Sequence, residues 1–338
     1  MNSGFWKKLK KPFFALAPMA DVTDAAFRRV IAKYGKPDVM WTEFTSADGL
    51  CSPGRKTLLH NLVFTGEERP IVAQLFTSNP EKMREAAALC AKLGFDGIDI
   101  NMGCPDRSIE KQGAGAAMIK NPKQARAVIR AAKAGAPKLP VSVKTRVGYG
   151  KNEIEKWLSE ILKEGVAAVT LHCRTRKEMS SVPARWEHVK EAVALRDRIS
   201  PGTLIIGNGD VSDLKDGGER ARLYGADGVM IGRGIFGNPW LFSNRVLTLE
   251  EKLKGLIEHT KLFEKLLGKA KSFAVMKKHF KAYISSFDGA KELRVQLMKA
   301  KNSKDVERTI NHFLDKGEIP ELFEDDGINQ TRNDVSVV

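Results

Sequence analysis

Short apolar runs alternate with amphipathic segments along residues 1–243. Eight of these runs have the size of β-strands: FFALA, DVMWTE, IVAQLF, GIDIN, VSVKTR, AVTLHCR, LIIGNGD and GVMIGRG. The segments between them, such as PEKMREAAALCAKLG and PKQARAVIRAAKAG, place apolar residues three or four positions apart and end at a glycine, which is the pattern of helices. Eight strand–helix repeats predict an α/β fold, a closed (β/α)8 TIM barrel; an open parallel sheet is the alternative.

The pattern changes to helices alone after Trp240. In LKGLIEHTKLFEKLL the apolar positions recur at helical spacing, which predicts one buried face with lysines opposite: Leu253, Leu256, Ile257, Thr260, Phe263 and Leu267. We therefore expect a barrel domain over residues 1–243 and a small all-α helical bundle over 244–324. Residues 325–338 are acidic or polar and are expected to form a disordered tail.

The charge of the chain favours a polyanionic partner. The formal net charge is +15, and residues 251–310 hold 15 Lys and Arg against 7 Asp and Glu. No apolar run approaches the roughly 20 residues that span a bilayer, and the first residues lack the apolar core of a secretion signal. We therefore expect a cytoplasmic protein without a membrane partner. Four scattered cysteines with no CxxC pair favour neither a disulfide framework nor a metal site.

Candidate functional residues follow each predicted strand. The first strand ends in Pro18-Met19-Ala20, and the others end in polar side chains: Glu43, Gln74, Asn101 with Cys104, Lys144 with Arg146, His172 with Arg174, Asn208 with Asp210, and Arg233. The carboxyl ends of barrel strands meet at one face, where TIM-barrel enzymes carry their active sites. The sequence therefore predicts that these residues gather in one site.

The seventh and eighth units end in the glycine-rich turns GNGDV and GADGVMIGRG. In many barrels the loops after these two strands hold a phosphate through backbone N–H groups and a helix N-terminus. Gly209, Gly232 and Gly234 suit that role, and tight turns alone are the alternative reading. We interpret the two turns together as a phosphate site.

Lys144 is expected to face the barrel interior, where a buried lysine needs an anion or a ligand. An electron-rich ring that becomes anionic on reduction would satisfy it. His172 and Gln74 are placed to hydrogen-bond the same ring, although a lone histidine is as often structural, and Pro18-Met19-Ala20 is placed to lie against the ring. A phosphate and a flat ring in a barrel mouth predict FMN.

Six motifs in order resemble those of the tRNA-dihydrouridine synthases, flavin enzymes of the nitrogen-fixation-regulator-3-like family: APMADVTDAAFR, IDINMGCPDRSIEKQGAGAAMI, VKTRVG, LHCRTR, IGNGDV and GADGVMIGRGIFGNPW. The resemblance continues into MKKHFKAYISSFDGAKELR, which is similar to the tRNA-binding part of those enzymes. It implies that NADPH, or NADH, reduces FMN and that a hydride then passes from N5 of FMN to C6 of a uridine in tRNA. It also implies that a cysteine thiol donates a proton to C5.

The resemblance assigns roles to individual residues. Cys104 is the implied proton donor, and a thiol with an ordinary pKa of about 8.5 is mostly protonated at neutral pH. Asn101 is implied to bind the uracil edge, and Arg174 or Arg176 the uracil or its phosphate. The candidate FMN contacts are Pro18, Met19, Ala20, Gln74, Lys144, His172, Asn208, Gly209, Asp210, Gly232 and Arg233. The candidate contacts to tRNA phosphates are Lys277, Lys278, His279, Lys281 and Arg294.

The segment RTRKEMSSVPARW departs from the family pattern. Many relatives carry an aromatic residue and a glycine shortly after the arginines, where this chain has Ser180 and Ser181. We expect this loop to shape the substrate pocket. The remaining cysteines, Cys51, Cys90 and Cys173, are interpreted as packing residues.

Two other functions are compatible with parts of the pattern. A dihydroorotate- or dihydropyrimidine-dehydrogenase-like barrel would also place Lys, Asn and Cys around FMN, but its free-base substrate needs no basic helical region. An RNA-binding scaffold without activity would have no use for Cys104, Lys144 and His172 together. We therefore expect an FMN-dependent oxidoreductase that reduces specific uridines of tRNA, acts as a monomer and uses no metal.

Overall fold

Eight strand positions form a parallel barrel, as the alternating pattern predicts. The computed structural model describes residues 2–243 and 245–316. Its strands are β1 (Phe13–Leu16), β2 (Met40–Trp41), β3 (Thr45–Ser46), β4 (Ile71–Phe76), β5 (Gly97–Met102), β6 (Val141–Arg146), β7 (Ala168–His172), β8 (Leu204–Asn208) and β9 (Gly228–Ile231). β2 and β3 share one position, since both pair with β4. A parallel bridge between Ala15 and Val39 links β1 to the chain before β2 and closes the barrel.

Helices follow the strands around the outside of the barrel. They are α1 (Ala25–Gly35), α2 (Ala47–Leu50), α3 (Pro80–Lys92), α4 (Arg107–Lys111), α5 (Pro122–Gly135), α6 (Ile154–Leu162), α7 (Glu187–Ile199) and α8 (Leu214–Tyr224). Their starts have local causes. Asn79 and Asn121 cap α3 and α5 with side-chain oxygens, and a proline occupies the first turn of each helix, where its missing N–H costs no hydrogen bond.

Large apolar side chains close the end of the barrel at which the strands begin. A short 3-10 segment, Gly4–Lys8, carries Trp6 under the barrel, where its ring lies 5.7 Å from that of Phe13 and 5.9 Å from that of Trp41. All three side chains are buried. This end is therefore a packed core. A ligand can bind only at the opposite end of the barrel, where the strands finish.

The predicted helical region follows the barrel as α9 (Leu249–Leu267), α10 (Lys277–Tyr283), α11 (Ala290–Leu297) and α12 (Ser303–Lys316). A capping box formed by Thr248 and Glu251 starts α9. The six residues predicted for the buried face of α9 are all buried. The helix packs on α1, where Tyr34 donates to Glu258 Oε2 at 2.6 Å. The end of the predicted helical domain (317–324) and the predicted tail (325–338) lie outside the described residues.

None of the helices within residues 2–243 and 245–316 combines the length and the apolar composition needed to cross a membrane.

Candidate active site

A cavity of about 330 Å³ opens where the barrel strands end. Eleven of the residues predicted for the site line it: Pro18, Met19, Lys144, Arg146, His172, Arg174, Asn208, Gly209, Asp210, Gly232 and Arg233. Strand register brings several of them together, because His172 pairs with Asn208 across β7 and β8, and Lys144 pairs with Asn101 across β5 and β6. The gathering of strand ends that the barrel pattern predicts is thus present.

Lys144 is one of the residues that line the cavity. Its ammonium donates to Asn208 Oδ1 at 3.0 Å, and the amide of Asn208 donates in turn to the carbonyl oxygen of Met230 at 2.8 Å. Burial, with repulsion from Arg146, lowers the pKa of Lys144 to about 8. An anionic ligand would stabilise the charged ammonium and raise this pKa again.

Arg174, Asp210 and Arg233 form a chain of ion pairs that begins at His172. Arg174 donates to Nε2 of His172 at 3.2 Å and pairs with Asp210. Arg233 donates to the other oxygen of Asp210 at 2.6 Å. Burial, reinforced by the nearby cations, lowers the pKa of His172 well below its ordinary value, so the ring is neutral. Since an arginine only donates, Nε2 accepts, and the ring proton sits on Nδ1.

The Cys104 loop is held from below by Asn101. The side-chain oxygen of Asn101 accepts from the backbone N–H groups of Gly103 at 3.1 Å and Cys104 at 2.9 Å. From above, Ala116 N–H donates to the carbonyl oxygen of Cys104 at 2.9 Å. This close approach requires a glycine at 115, where φ is +59° and an added Cβ would lie 2.7 Å from that carbonyl oxygen.

A buried chain of hydrogen bonds fixes the amide of Asn101. Ser142 and Gln74 donate to the two oxygens of Asp99, at 2.5 and 2.6 Å. The side-chain oxygen of Gln74 then accepts from Asn101 at 3.1 Å. Because an ionised Asp99 only accepts hydrogen bonds, the NH₂ group of Gln74 must point towards it. The oxygen of Gln74 then faces Asn101 and fixes the orientation of the Asn101 amide. Asp99 is absent from the predicted site residues. A charged residue inside an apolar strand is the sequence feature that could have identified it.

The thiol of Cys104 is partly buried beside an apolar cluster of Phe44, Phe76, Ile109 and Ala114. Burial raises its pKa above the ordinary value, although the N–H of Asp106 and the charges of Arg146 and Lys144 oppose the shift. The group is therefore a protonated thiol at neutral pH, able to give a proton but not poised as a nucleophile. Pro105, the next residue, lines the cavity.

Arg146 ties the Cys104 loop to the loop after β7. It donates to the carbonyl oxygens of Gly103 at 2.9 Å and of Thr175 and Met179 at 3.1 Å each. Arg146 also lines the cavity, as its prediction among the strand-end candidates implies, although it is not among the predicted FMN or tRNA contacts. Met179 and Ser180 form part of the rim, in the loop expected to shape the substrate pocket.

The other predicted residues take different positions. Arg176 is engaged with Glu110, at 2.9 Å from each carboxylate oxygen, and donates to the carbonyl oxygen of Pro105 at 3.2 Å. Gln74 and Asn101 are buried and reach the site through the chain beneath it, not through the cavity wall. Ala20 is exposed at the loop after β1, outside the lining.

A basic groove lies on the helical region. Four predicted tRNA contacts line it together with Lys291, Val295 and Met298: Lys277, Lys278, Lys281 and Arg294. Val295 and Met298 are exposed, at 50% and 45%, so the groove offers both cations and apolar surface. The prediction for His279 is wrong. This side chain is fully buried against Phe27 and His259, and burial lowers its pKa to about 3, so it is a neutral packing residue out of reach of a phosphate.

The charges and hydrogen-bonding groups of the cavity suit FMN. Lys144, Arg174 and Arg233 supply cations, and neutral His172 supplies a ring donor, which together suit an anionic, hydrogen-bonding ligand. At Gly232 an added Cβ would lie 3.7 Å from Ala17 Cβ and 3.8 Å from Met19 Sδ, among atoms of the cavity wall. Both are ordinary van der Waals distances, so the space around Gly232 does not by itself require a glycine.

Comparison with known proteins gives one consistent family. A profile described as dihydrouridine synthase (Dus) matches residues 15–318. The chain is 44% identical over 318 residues to a probable tRNA-dihydrouridine synthase of Staphylococcus aureus (strain MRSA252), covering 93% of this chain and 96% of that protein. It is 43% identical over 320 residues to probable tRNA-dihydrouridine synthase 2 of Bacillus subtilis (strain 168), covering 93% and 97%.

Among solved structures, a variant of NCR from Zymomonas mobilis is similar with a TM-score of 0.47 and 16% identity, covering 70% of this chain and 87% of that one. This similarity is too low to carry an argument about function.

Proposed function

The chain belongs to the dihydrouridine synthase family, and from that premise we propose that its cavity binds FMN and that Cys104 completes the reduction of uridines in tRNA. The observation that carries the proposal is the meeting of Lys144, His172 and Asn208 with two glycine turns in one cavity. NADPH, or NADH, is the proposed reductant. FMN, when bound, supplies the hydride that saturates the C5–C6 bond of the uracil ring.

The residues of the cavity divide into two groups around such a cofactor. Lys144 and the Nδ1–H of His172 would hold a ring that gains negative charge on reduction, and their interaction with it would strengthen at that point. Gly209, Gly232 and Arg233 would hold the phosphate, for which backbone N–H groups and a guanidinium are suited. Asp210 pairs with Arg233 and so orients it.

We assign to Cys104, which precedes the cavity-lining Pro105, the role of giving its proton to C5 of the uracil. Its thiol is held in the protonated form by burial, which is the state a proton donor needs. Asn101 accepts hydrogen bonds from the backbone N–H groups of Gly103 and Cys104 and so fixes the backbone that carries the thiol. Rigid placement supports efficient proton transfer because a displacement of about 1 Å is costly to the rate.

The basic groove supplies the binding energy that a folded RNA substrate requires. A uracil must leave its stack to reach a buried site, at a cost of a few kcal/mol. Phosphate contacts from Lys277, Lys278, Lys281 and Arg294 offset this cost without reading the base sequence. A free pyrimidine needs no such groove, which weighs against a free-base reductase.

The test uses the full chain, FMN and a tRNA transcript without modifications. The purified protein should bind FMN, oxidise NADPH through it, and convert uridines of the transcript to dihydrouridine measured by mass spectrometry. Free uracil and orotate should give less reduced product than tRNA at equal concentration. Failure of the reconstituted protein to bind FMN, or faster turnover of a free base than of tRNA, would refute the proposal.

A further inference from the structure

One wall of the cavity is the loop that follows β1, and this loop is a tight turn. Met19, which lines the cavity, donates its N–H to Thr23 Oγ1 at 2.9 Å. Its carbonyl oxygen accepts from the N–H groups of Val22 at 3.2 Å and Thr23 at 3.0 Å. Asp21 at the tip has a left-handed backbone, with φ of +53°. That conformation is uncommon outside glycine, although Asp and Asn tolerate it best, and contacts at the tip favour it further.

Glu43 and Lys271 provide these contacts. Glu43, just after β2, accepts from the Asp21 N–H at 2.6 Å. Lys271, which follows α9 in the helical region, places its ammonium 2.9 Å from Asp21 Oδ1 and 2.9 and 3.1 Å from the two oxygens of Glu43. A residue outside the barrel thus joins the tip of the cavity loop to the end of the neighbouring strand.

The burial of this cluster makes Lys271 necessary. The side chains of Glu43 and Lys271 are only 5% and 11% exposed. The carboxyl of Asp24 is buried alongside, with Oδ2 lacking a hydrogen-bond partner among the described residues. Burial, with the charge of Glu43 adding to it, raises the pKa of Asp24 to about 6. Without the ammonium, Glu43 would be a buried charge with no counter-ion, which a protein tolerates poorly.

We propose that Lys271 is a positioning residue for the flavin: it holds Asp21 against Glu43 and so keeps Met19 in the wall on which the ring binds. The inference rests on the proposed use of FMN. Through Lys271 the helical region would contribute to the flavin site as well as to the RNA-binding surface. Lys271 differs in this from the lysines of the basic groove, because its three carboxylate contacts and low exposure leave it unavailable to a phosphate.

Four variants of the full chain test the proposal. Lys271→Met removes the ammonium, and Lys271→Arg keeps a cation that can bridge both carboxylates. Lys269→Met is the matched control, because it removes the same charge two residues away from an exposed position. Asp21→Asn weakens one contact while keeping a residue type that tolerates the left-handed backbone. It serves if Lys271→Met fails to fold.

Three measurements separate flavin positioning from general stability. The dissociation constant of FMN should rise roughly tenfold in Lys271→Met, stay near wild type in Lys269→Met, and recover in Lys271→Arg. Asp21→Asn should show a smaller rise in the same direction. The dissociation constant of tRNA for the FMN-loaded protein should change no more in Lys271→Met than in Lys269→Met. In flavin-free protein, amide hydrogen exchange of residues 18–23 should be faster in Lys271→Met than in the control.

Each result decides a different question. If wild type does not bind FMN, the proposed function is wrong. If wild type binds FMN and Lys271→Met binds it as tightly as Lys269→Met does, the positioning role is overturned. Weaker tRNA binding with unchanged FMN binding would assign Lys271 to the RNA surface instead. Unchanged hydrogen exchange in residues 18–23 would show that the loop does not depend on Lys271.

Discussion

Lys144 has the most informative titration in the cavity. Its pKa is lowered to about 8 by burial, and an anionic ring beside the ammonium would raise it. Binding of reduced FMN, whose ring carries the negative charge, should therefore add a proton to Lys144 wherever the free protein has lost it. Below pH 8 the ammonium is charged in both states and the affinity for reduced FMN is at its full value. Above pH 8 that affinity should fall, by up to about tenfold per pH unit. The measurement is the dissociation constant of reduced FMN, without oxygen, from pH 6.5 to 9.5.

A neutral side chain at this position removes the effect. Lys144→Gln should bind reduced FMN more weakly at pH 7 and show a flat pH dependence over the same range. Lys123→Gln, an exposed control on α5, should follow wild type. An unchanged decline above pH 8 in Lys144→Gln would assign the titration to another group.

Asp99 is predicted to act through orientation. Asp99→Asn keeps an oxygen for Gln74, and its amide can donate to Ser142, whose hydroxyl already lies 3.5 Å from the carbonyl oxygen of Ile98. Asp99→Leu removes the acceptor and frees the amides of Gln74 and Asn101. We expect the rate of dihydrouridine formation to fall roughly tenfold or more in Asp99→Leu and much less in Asp99→Asn. Equal losses in both would show that the charge matters and the orientation does not.

At the scale of elements, the loop from Cys104 to Ala116 depends on one glycine. Gly115→Ala should destabilise the fold by about 1–3 kcal/mol, because the residue has a positive φ and its Cβ would press on the Cys104 carbonyl oxygen. It should also lower dihydrouridine formation by moving the thiol. Thermal unfolding and the tRNA assay measure the two effects.

Gly218→Ala is the matched control for that substitution. Gly218 lies within α8, where an added Cβ meets nothing within 4 Å. The Gly218→Ala substitution should stabilise the protein by about 0.5–1 kcal/mol and leave dihydrouridine formation at the wild-type rate. If Gly115→Ala behaved in the same way as Gly218→Ala, the loop would not need the glycine.

The strands and the long helices could be predicted from the sequence, since each shows its own hydrophobic period. The runs IVAQLF and VSVKTR correspond to β4 and β6 without adjustment. Residues at strand ends could be predicted because a barrel brings those ends together whatever the loops do. The closure of the barrel floor by Trp6 could not, because nothing local links an N-terminal tryptophan to Phe13 and Trp41.

Contacts between elements were the part that sequence could not give. His279 occupies a basic stretch, MKKHFK, and only the packing of α10 on α1 and α9 makes it a buried, neutral ring. The sequence around Lys271 does not indicate its partners, Asp21 and Glu43, which lie more than 200 positions earlier in the chain. The hydrogen bond from Gln74 to Asp99 depends likewise on the register of β4 and β5.

At the scale of the whole molecule, the basic groove should dominate the affinity for tRNA. Reversing Lys277, Lys281 and Lys291 of the groove to Glu together should raise the dissociation constant of tRNA roughly tenfold or more and lower its salt dependence by about one unit of slope per lost phosphate contact. FMN content should stay the same. Filter binding at several salt concentrations, with flavin absorbance as the second reading, measures both.

A charge-matched control lies at the opposite end of the barrel. Lys7, Lys8 and Lys10 are exposed beside the 3-10 segment that closes the floor, and reversing them to Glu alters the net charge by the same amount. If the two triple variants weakened tRNA binding equally, the effect would come from net charge, and the groove would not be the docking surface.

The central claim is that the Cys104 thiol gives the proton that completes reduction of the uracil. Its most direct test is dihydrouridine formation by the FMN-loaded Cys104→Ala variant, with Cys51→Ala as the control for loss of a partly buried thiol elsewhere. The account predicts that Cys104→Ala still oxidises NADPH through its bound FMN but forms dihydrouridine at least about a hundredfold more slowly, while Cys51→Ala matches wild type. Dihydrouridine formed by Cys104→Ala at the wild-type rate would contradict it.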